Sequence, residues 1–358
     1  MESESTDPPS YDGIEEVCQK KNVQDFGLFV TVLIFSVVIV LSLIGNLLVV
    51  WILLRYEKLN TVTNIFILNL AISDLLFTFT LPFISLYEAQ GWTLGKAMCK
   101  TVNGIFYIGF YSGIILMTVM SINRYVAVVH PLADLRSRKG CHGTWASLMI
   151  WLVSILASTP SIIFTSDIQG HSQDKTHCEY YDLTWKKVGK YQQNAFFLIT
   201  LTVIVYCYMR ILLRLLQSKT QKRYRTVKLI FTVVAIFFIG WAPFNIVIFL
   251  QNLSFHEVEY FLDCSVNTNL DYAFFVCRIF AFSHCCLNPI FYAFVGIKFK
   301  NHLKKLLRGC HFDHSTGDQH QHHTRLHFIS SGEELSLIGS PRKTFRHCHS
   351  LGLPMESP

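Results

Sequence analysis

The chain of 358 residues is 51% hydrophobic and only 15% charged, with a mean hydropathy of +0.36. Soluble globular domains carry roughly 25% charged residues, so the deficit excludes a protein whose whole surface meets water. The net charge of +7 does not argue for nucleic acid: the basic residues cluster between apolar runs, no zinc-finger spacing or other nucleic-acid module is visible, and basic loops at a membrane face account for them better.

Residues 1–25 carry Glu2, Glu4, Asp7, Asp12, Glu15, Glu16 and Asp25 against Lys20 and Lys21, without apolar periodicity. This reads as a disordered acidic tail. Tyr11 beside Asp12, with Asp7, Glu15 and Glu16 near, is a setting for tyrosine sulfation; the alternative is an unmodified tail residue. The tail lacks a basic start and a short apolar core with a cleavage site, so the first apolar segment is expected to act as an uncleaved signal anchor.

Seven apolar segments follow, at about 26–54, 63–88, 97–129, 143–165, 189–216, 224–251 and 270–294, each near the length that spans a bilayer. They lack the short alternating pattern of a barrel, so backbone satisfaction in lipid predicts helices. Asp74, Arg124, Asn288 and prolines 82, 160, 243 and 289 interrupt them. Polar residues within a bundle face its interior and mark function. Arg55 and Lys58, then Arg136, Arg138 and Lys139, then Arg210 to Lys228, then Lys298 to Arg308 load alternate loops with positive charge. The positive-inside rule then places the N-terminus outside and the C-terminus inside.

Residues 296–308 alternate Ile297, Phe299, Leu303, Leu306 and Leu307 with lysines, the pattern of a short amphipathic eighth helix on the inner membrane surface. Cys310 beyond it is either a palmitoylation site or a free cytosolic thiol. From Gly309 to the C-terminus the chain is polar, rich in histidine without metal-ligand spacing, and rich in serine and threonine, a target for phosphorylation. Three parts are therefore expected: a tail at 1–25, a helical bundle with its inner helix at 26–308, and a disordered cytoplasmic tail at 309–358.

Catalysis has no visible site. Gly91-Trp92-Thr93-Leu94-Gly95-Lys96 approaches a phosphate loop, but its glycines are one residue too close and Ala97 stands where Ser or Thr is needed. His284-Cys285-Cys286 places adjacent side chains on different helix faces, which favours packing over metal binding. Gly109 and Gly113 permit close helix contact. No enzyme activity, cofactor or metal is expected. Asn46, Asp74 and Asn288 are expected to converge on a polar network, and Pro243 and Pro289 to free carbonyls and kink their helices. Kinked helices around a polar interior suit a ligand-driven switch; a static channel or transporter core is the alternative. Cys207, Cys277, Cys285 and Cys286 read as buried hydrophobes. Cys18, Cys99, Cys178 and Cys264 are disulfide candidates, with three pairings open. Asn252-Leu253-Ser254 is a formal glycosylation sequon near the outer end of the sixth helix.

One marker per helix now stands in order: Gly45-Asn46; Leu70 with Asp74; Cys99 and Asn123-Arg124-Tyr125; Trp151; Tyr208; Trp241-Ala242-Pro243; and Asn288-Pro289-Ile290-Phe291-Tyr292. Over residues 26–308 the chain resembles a rhodopsin-type (class A) G-protein-coupled receptor, an all-α membrane protein with a seven-helix bundle. Thr80-Leu81-Pro82, Trp92-x-x-Gly95-x-x-x-Cys99, Phe110-Tyr111-Ser112-Gly113 and Ala281 to Pro289 are similar to the chemokine receptors. Arg225 to Phe231, Asp182-Leu183-Thr184-Trp185 and Cys277-Arg278 are similar to the XC-type (lymphotactin) branch.

The resemblance implies disulfides Cys99–Cys178 and Cys18–Cys264, and a small basic chemokine of lymphotactin type as ligand. It implies ligand contacts at Tyr11, Asp12, Glu15 and Glu16 in the tail, at Glu179, and at Tyr87, Phe106, Tyr107, Phe244, Tyr272 and Arg278 in the bundle. For Phe106 and Phe244 ordinary packing is the competing role. It implies switch residues Asn46, Asp74, Thr80, Pro82, Phe237, Trp241, Pro243, Asn288, Pro289 and Tyr292, and G-protein contacts at Asn123, Arg124, Tyr125 and Tyr208. Further partners follow: an inhibitory-type heterotrimeric G protein, arrestin and receptor kinases at the C-terminal tail, and membrane lipids. The expected outcome is calcium release and chemotaxis from the plasma membrane. The acidic N-terminal tail, with Asp167, Asp174, Glu179, Asp182, Glu257, Glu259 and Asp263 extending its acidity to the outer loops, supports a basic ligand independently, by steering it to the surface.

Five departures stand out. Asn123 replaces the usual acid before Arg124, which removes an ionic partner and is the support for an alternative, a scavenger that internalises ligand without G-protein signalling. Thr200 replaces a helix-5 proline, and Ile84 stands where many relatives have tryptophan. Gly113 and His284 replace usual sodium ligands near Asp74. Arg278 stands where many relatives place a ligand-binding glutamate, so an acidic or carbonyl-bearing partner is expected for it, on ligand or receptor.

Overall fold

A computed structural model describes residues 21–57, 59, 61–130, 140–169, 176–216, 224–254, 260 and 263–295. The expected tail contacts Tyr11, Asp12, Glu15, Glu16 and Cys18, the amphipathic helix at 296–308, Cys310 and the region 309–358 lie outside these residues.

Among the described residues eight helices run in chain order: α1 Lys21–Tyr56, α2 Val62–Gln90, α3 Gly95–Val129, α4 Gly140–Phe164, α5 Leu183–Leu216, α6 Tyr224–Ser254, α7 Cys264–Phe282 and α8 His284–Val295. Seven stretches are long and apolar enough to cross a membrane; the seventh, Cys264–Pro289, spans α7 and the start of α8. Lipid offers no hydrogen bonds to the backbone, so helices that bond internally are the stable form. Each helix turns one face to the bundle and another outward. On α6, Trp241 is fully buried while Ile239, two residues earlier, is 72% exposed.

The polar residues hold the bundle together. Asn69 on α2 accepts from Trp151 Nε1 at 2.8 Å and donates to Ser147 Oγ at 3.2 Å, tying α4 to α2. Ser73 donates to the Gly109 carbonyl at 2.8 Å, and a Cβ on Gly109 would sit 3.1 Å from the Phe77 backbone nitrogen. The glycine therefore lets α2 and α3 touch almost backbone to backbone. Lys100 Nζ reaches the terminal carbonyls of α4, Ile162 at 3.1 Å and Ile163 at 2.6 Å, and closes that helix end from α3.

An addition to the all-α reading sits at one end of the bundle. Strands β1 Thr165–Gln169 and β2 Thr176–Tyr180 pair antiparallel, Asp167 opposite Cys178. The disulfide Cys99–Cys178 pins β2 to the start of α3. Trp92 N donates to the Thr176 carbonyl at 2.7 Å, and Trp92 Nε1 to the Gly95 carbonyl at 2.9 Å across a turn where Gly91 and Gly95 have positive φ. Asp182 Oδ1 caps α5 by accepting from Trp185 N at 3.0 Å, and Trp185 stacks on Phe164 at 3.9 Å.

The seventh span was expected as a single segment and is broken at Ser283. Asp263 caps its start, its carboxylate held below its ordinary value by the Ser265 hydroxyl and the amides of Val266 and Ser265. Asn252 of the sequon is fully buried. Cys207, Cys277, Cys285 and Cys286 are free thiols in or beside the packed interior.

Candidate functional site

At the hairpin end the helices splay around a cavity of about 280 Å³. Tyr87 of α2, Phe106 and Tyr107 of α3, Phe244 of α6 and Arg278 of α7 line it, together with Trp92, Asn103, Cys178, Lys190, Gln193, Phe274 and Phe282. Tyr272 does not: it packs edge-on against Phe26 of α1, with ring centres 5.3 Å apart. Glu179 lines a smaller neighbouring cavity of about 140 Å³, where Lys186 Nζ meets Oε2 at 2.5 Å. Tyr180 bonds Ser161 at 2.6 Å in the same wall, and burial pushes its phenol above its ordinary value. Tyr87 reaches His177 of β2 at 3.0 Å, so the hairpin forms part of the rim.

Arg278 finds its carboxylate within the protein. Its Nη1 donates to Glu88 Oε1 at 2.6 Å and Nη2 to Thr31 Oγ1 at 2.8 Å, while Phe274 and Phe275 flank the guanidinium at 5.3 and 4.9 Å. Sequence reasoning did not single out Glu88 or Thr31. They lie 190 and 247 positions from Arg278, so no local spacing points to either.

The cavity floor leads inward. Phe244 and Phe282 both line the cavity and both touch Trp241, at 5.6 and 5.8 Å. Trp241 also packs on Phe110 at 4.6 Å, Phe237 at 5.7 Å and His284 at 5.4 Å. His284 Nδ1 lies 2.6 Å from the Ala281 carbonyl and 3.3 Å from Trp241 Nε1. One nitrogen cannot serve both, and the shorter contact makes it the donor to Ala281. The other nitrogen, Nε2, then faces Asp74 Oδ1 at 3.9 Å. Asn288 Nδ2 donates to Asp74 Oδ2 at 2.8 Å.

Asn46 joins this network indirectly. Pro289 has no N–H, which frees the Cys285 carbonyl four residues earlier. Asn46 Nδ2 takes that carbonyl at 2.8 Å and Ser42 Oγ reaches it at 3.3 Å. Ser42 bonds Thr78 at 2.6 Å, and Thr78 donates to the Asp74 carbonyl at 2.6 Å. Ser42 and Thr78, not singled out from sequence, are the bridge. On the same helix as Asp74, Thr80 donates to the Phe77 carbonyl at 2.7 Å just before Pro82.

At the opposite end, Arg124 Nη2 donates to Thr63 Oγ1 on α2 at 2.6 Å. Asn123 beside it is partly buried, and the Tyr125 hydroxyl meets His130 at 3.2 Å. Tyr208 is buried against Phe231 at 5.0 Å, its hydroxyl without a hydrogen-bond partner among the described residues. Pro243 lies within α6, and Tyr292 falls on α8 with its side chain outside the described set. No group of three metal-ligating side chains occurs among the described residues.

Residues 45–292 match the model of the 7 transmembrane receptor (rhodopsin family). The chain is 43% identical over 306 residues to human chemokine XC receptor 1, covering 85% of this chain and 89% of that protein. It is 41% identical to the mouse chemokine XC receptor 1, over 86% of this chain and 92% of the relative. It is 39% identical to human C-C chemokine receptor type 4, covering 84% of each.

Proposed function

The chain belongs to the rhodopsin family of seven-transmembrane receptors and, within it, to the chemokine receptors, a receptor class rather than an enzyme class; on that premise we propose that it is an XC-type receptor that binds a lymphotactin-like chemokine and activates an inhibitory-type G protein. The observation that carries the coupling is the continuous path from cavity to core. Phe244 and Phe282 face the ligand cavity, touch Trp241, and through His284 reach Asp74 and Asn288. A ligand that favours one packing of those rings biases the helices around them.

In this reading the hairpin end faces outward at the plasma membrane. The acidic tail with Tyr11, Asp12, Glu15 and Glu16 steers a basic ligand, and Cys18 pairs with Cys264; Cys264 is itself disulfide-bonded. The ligand's leading segment enters the cavity. Asn123, Arg124, Tyr125 and Tyr208 meet the G protein at the other end, and the tail at 309–358 recruits receptor kinases and arrestin. Anionic lipid is held by the basic residues of 296–308.

The test is a panel of chemokines, lymphotactin included, on cells expressing the full chain. A calcium rise with suppressed cyclic AMP, strongest for the lymphotactin type, is the expected result. Ligand uptake with neither response would overturn the signalling reading in favour of a scavenger. A response to a different chemokine alone would overturn the XC assignment.

A further inference from the structure

We propose that Glu88 and Thr31 form a latch with Arg278 that holds α7 in its ligand-free position, so that the strength of this contact sets how much the receptor signals without ligand. The proposal rests on the receptor reading above and adds a regulatory device to it.

The contact sits in the middle of a seam between α1 and α7. Gly27, Thr31 and Phe35 share one face of α1, and each meets a different residue of α7. Gly27 lies against the Phe275 ring, which a Cβ would strike; Thr31 Oγ1 accepts from Arg278 Nη2 at 2.8 Å; and Phe35 stacks on Phe282 at 5.7 Å. The two flanking contacts are apolar, and apolar attraction has no directional requirement. The middle contact does. Arg278 Nη1 also donates to Glu88 Oε1 at 2.6 Å, so one guanidinium binds α7 to α1 and α2 at once. Arg278 is only 6% exposed, and burial makes separation of such a pair costly. Glu88 lies in the last turn of α2, where the helix dipole disfavours an acid, and Arg278 offsets that cost.

The place of Arg278 along its helix gives the contact leverage. Little more than one turn beyond it, α7 ends at Phe282 and the chain breaks at Ser283. Phe282 touches Trp241 at 5.8 Å and Phe77 at 5.1 Å, and His284 on the far side of the break faces Asp74. A shift of α7 about that break moves the rings of the aromatic cluster, and the ion pair is the directional contact such a shift must separate. Every member of the contact belongs to the protein, so it is closed without ligand. A receptor with a weakened latch leaves that state more often.

The experiment expresses the full chain with an outer epitope tag and reads cyclic-AMP suppression without ligand, per receptor at the surface. Glu88→Gln and Arg278→Gln are each expected to raise that output about ten-fold, and Thr31→Val, which keeps the ion pair, about three-fold. Exchanging the charges, Glu88→Arg with Arg278→Glu, re-forms the pair, and the Thr31 hydroxyl serves either partner as donor or acceptor. The exchange should bring output back to within about two-fold of the natural receptor. A role in packing alone would lower surface level and output together, so the rise and its reversal by the exchange identify a latch. Unchanged or lowered output in the single variants overturns the proposal, as does an exchange that stays as active as they are. If Glu88→Gln and Arg278→Gln do not reach the surface, Thr31→Val decides, and unchanged output from it overturns the proposal. The natural receptor is challenged in the same cells with the chemokine panel. A response there beside flat variants sinks the latch alone, whereas no response to any chemokine and no rise in any variant removes the signalling reading with it.

Discussion

Asn123, an amide and not an acid, precedes Arg124, whose guanidinium donates to the Thr63 hydroxyl at 2.6 Å. A hydrogen bond from a charged donor contributes about 1.5–3 kcal/mol. If that bond holds the resting state, Thr63→Val raises ligand-independent signalling by about ten-fold, read as basal cyclic-AMP suppression at matched surface level; unchanged basal output would remove Thr63 from the switch. Arg278 is a buried cation held on its acid, Glu88. Removing one member of such a pair leaves the other uncompensated and costs about 3–5 kcal/mol, whereas replacing both with apolar residues costs far less. Glu88→Leu alone should therefore lower the thermal midpoint in detergent well below that of Glu88→Leu with Arg278→Met. A double variant as unstable as the single one would show that the pair is not the stabilising unit. That Arg278 called for an acidic or carbonyl-bearing partner, on ligand or receptor, was legible in the sequence, because a buried guanidinium is costly without one. Which carboxylate was not, because Glu88 stands 190 residues away at a helix end where an exposed acid reads equally well.

The helices show where hydropathy stops being informative. It located all seven spans, since each needs a long apolar run. It placed the starts of α5 and α7 about six residues late, because those helices run past the apolar region on polar turns capped by Asp182 and Asp263. The hairpin escaped notice because Thr165–Gln169 and Thr176–Tyr180 are short and their burial alternates weakly. The break at Ser283 has no glycine or proline at the break itself; it is recognisable only from Ser283 and His284 bonding back to the Ile279 and Ala281 carbonyls. The pairing of Gly45-Asn46 with Asn288-Pro289, by contrast, has a compact physical origin. Pro289 frees a carbonyl that Asn46 takes, and a Cβ on Gly45 would lie 2.8 Å from Pro289 Cβ. Gly45→Ala should push α1 away from α8 and destabilise the bundle by about 1–3 kcal/mol, the usual cost of overpacking. A lowered thermal midpoint checks this, and a midpoint equal to that of the natural protein would show that the contact is slack.

At the scale of the whole molecule, α3 runs from the disulfide at Cys99 to Arg124, joining the hairpin end to the opposite end. That helix alone does not couple them, since a rigid rod transmits no choice between states. The choice belongs to the aromatic cluster beside it, where Trp241 touches rings from α2, α3, α6 and α7 and the imidazole of His284 on α8. The sequence made Trp241 recognisable as a marker, but its position between the cavity floor and the Asp74 network depends on the break at Ser283, which turns His284 toward both. Trp241 itself does not line the cavity. Its replacement should therefore separate binding from output: Trp241→Leu is expected to keep chemokine affinity within about three-fold while lowering the maximal calcium response several-fold, because the ligand-bound packing loses its differential contact with the core. Equal loss of affinity and response would mean that Trp241 shapes the cavity rather than relaying its occupancy. A full response at matched surface level would mean that the signal leaves the cavity by another route, through the α2 and α3 walls at Phe77 and Phe106, whose rings lie 5.1 Å apart.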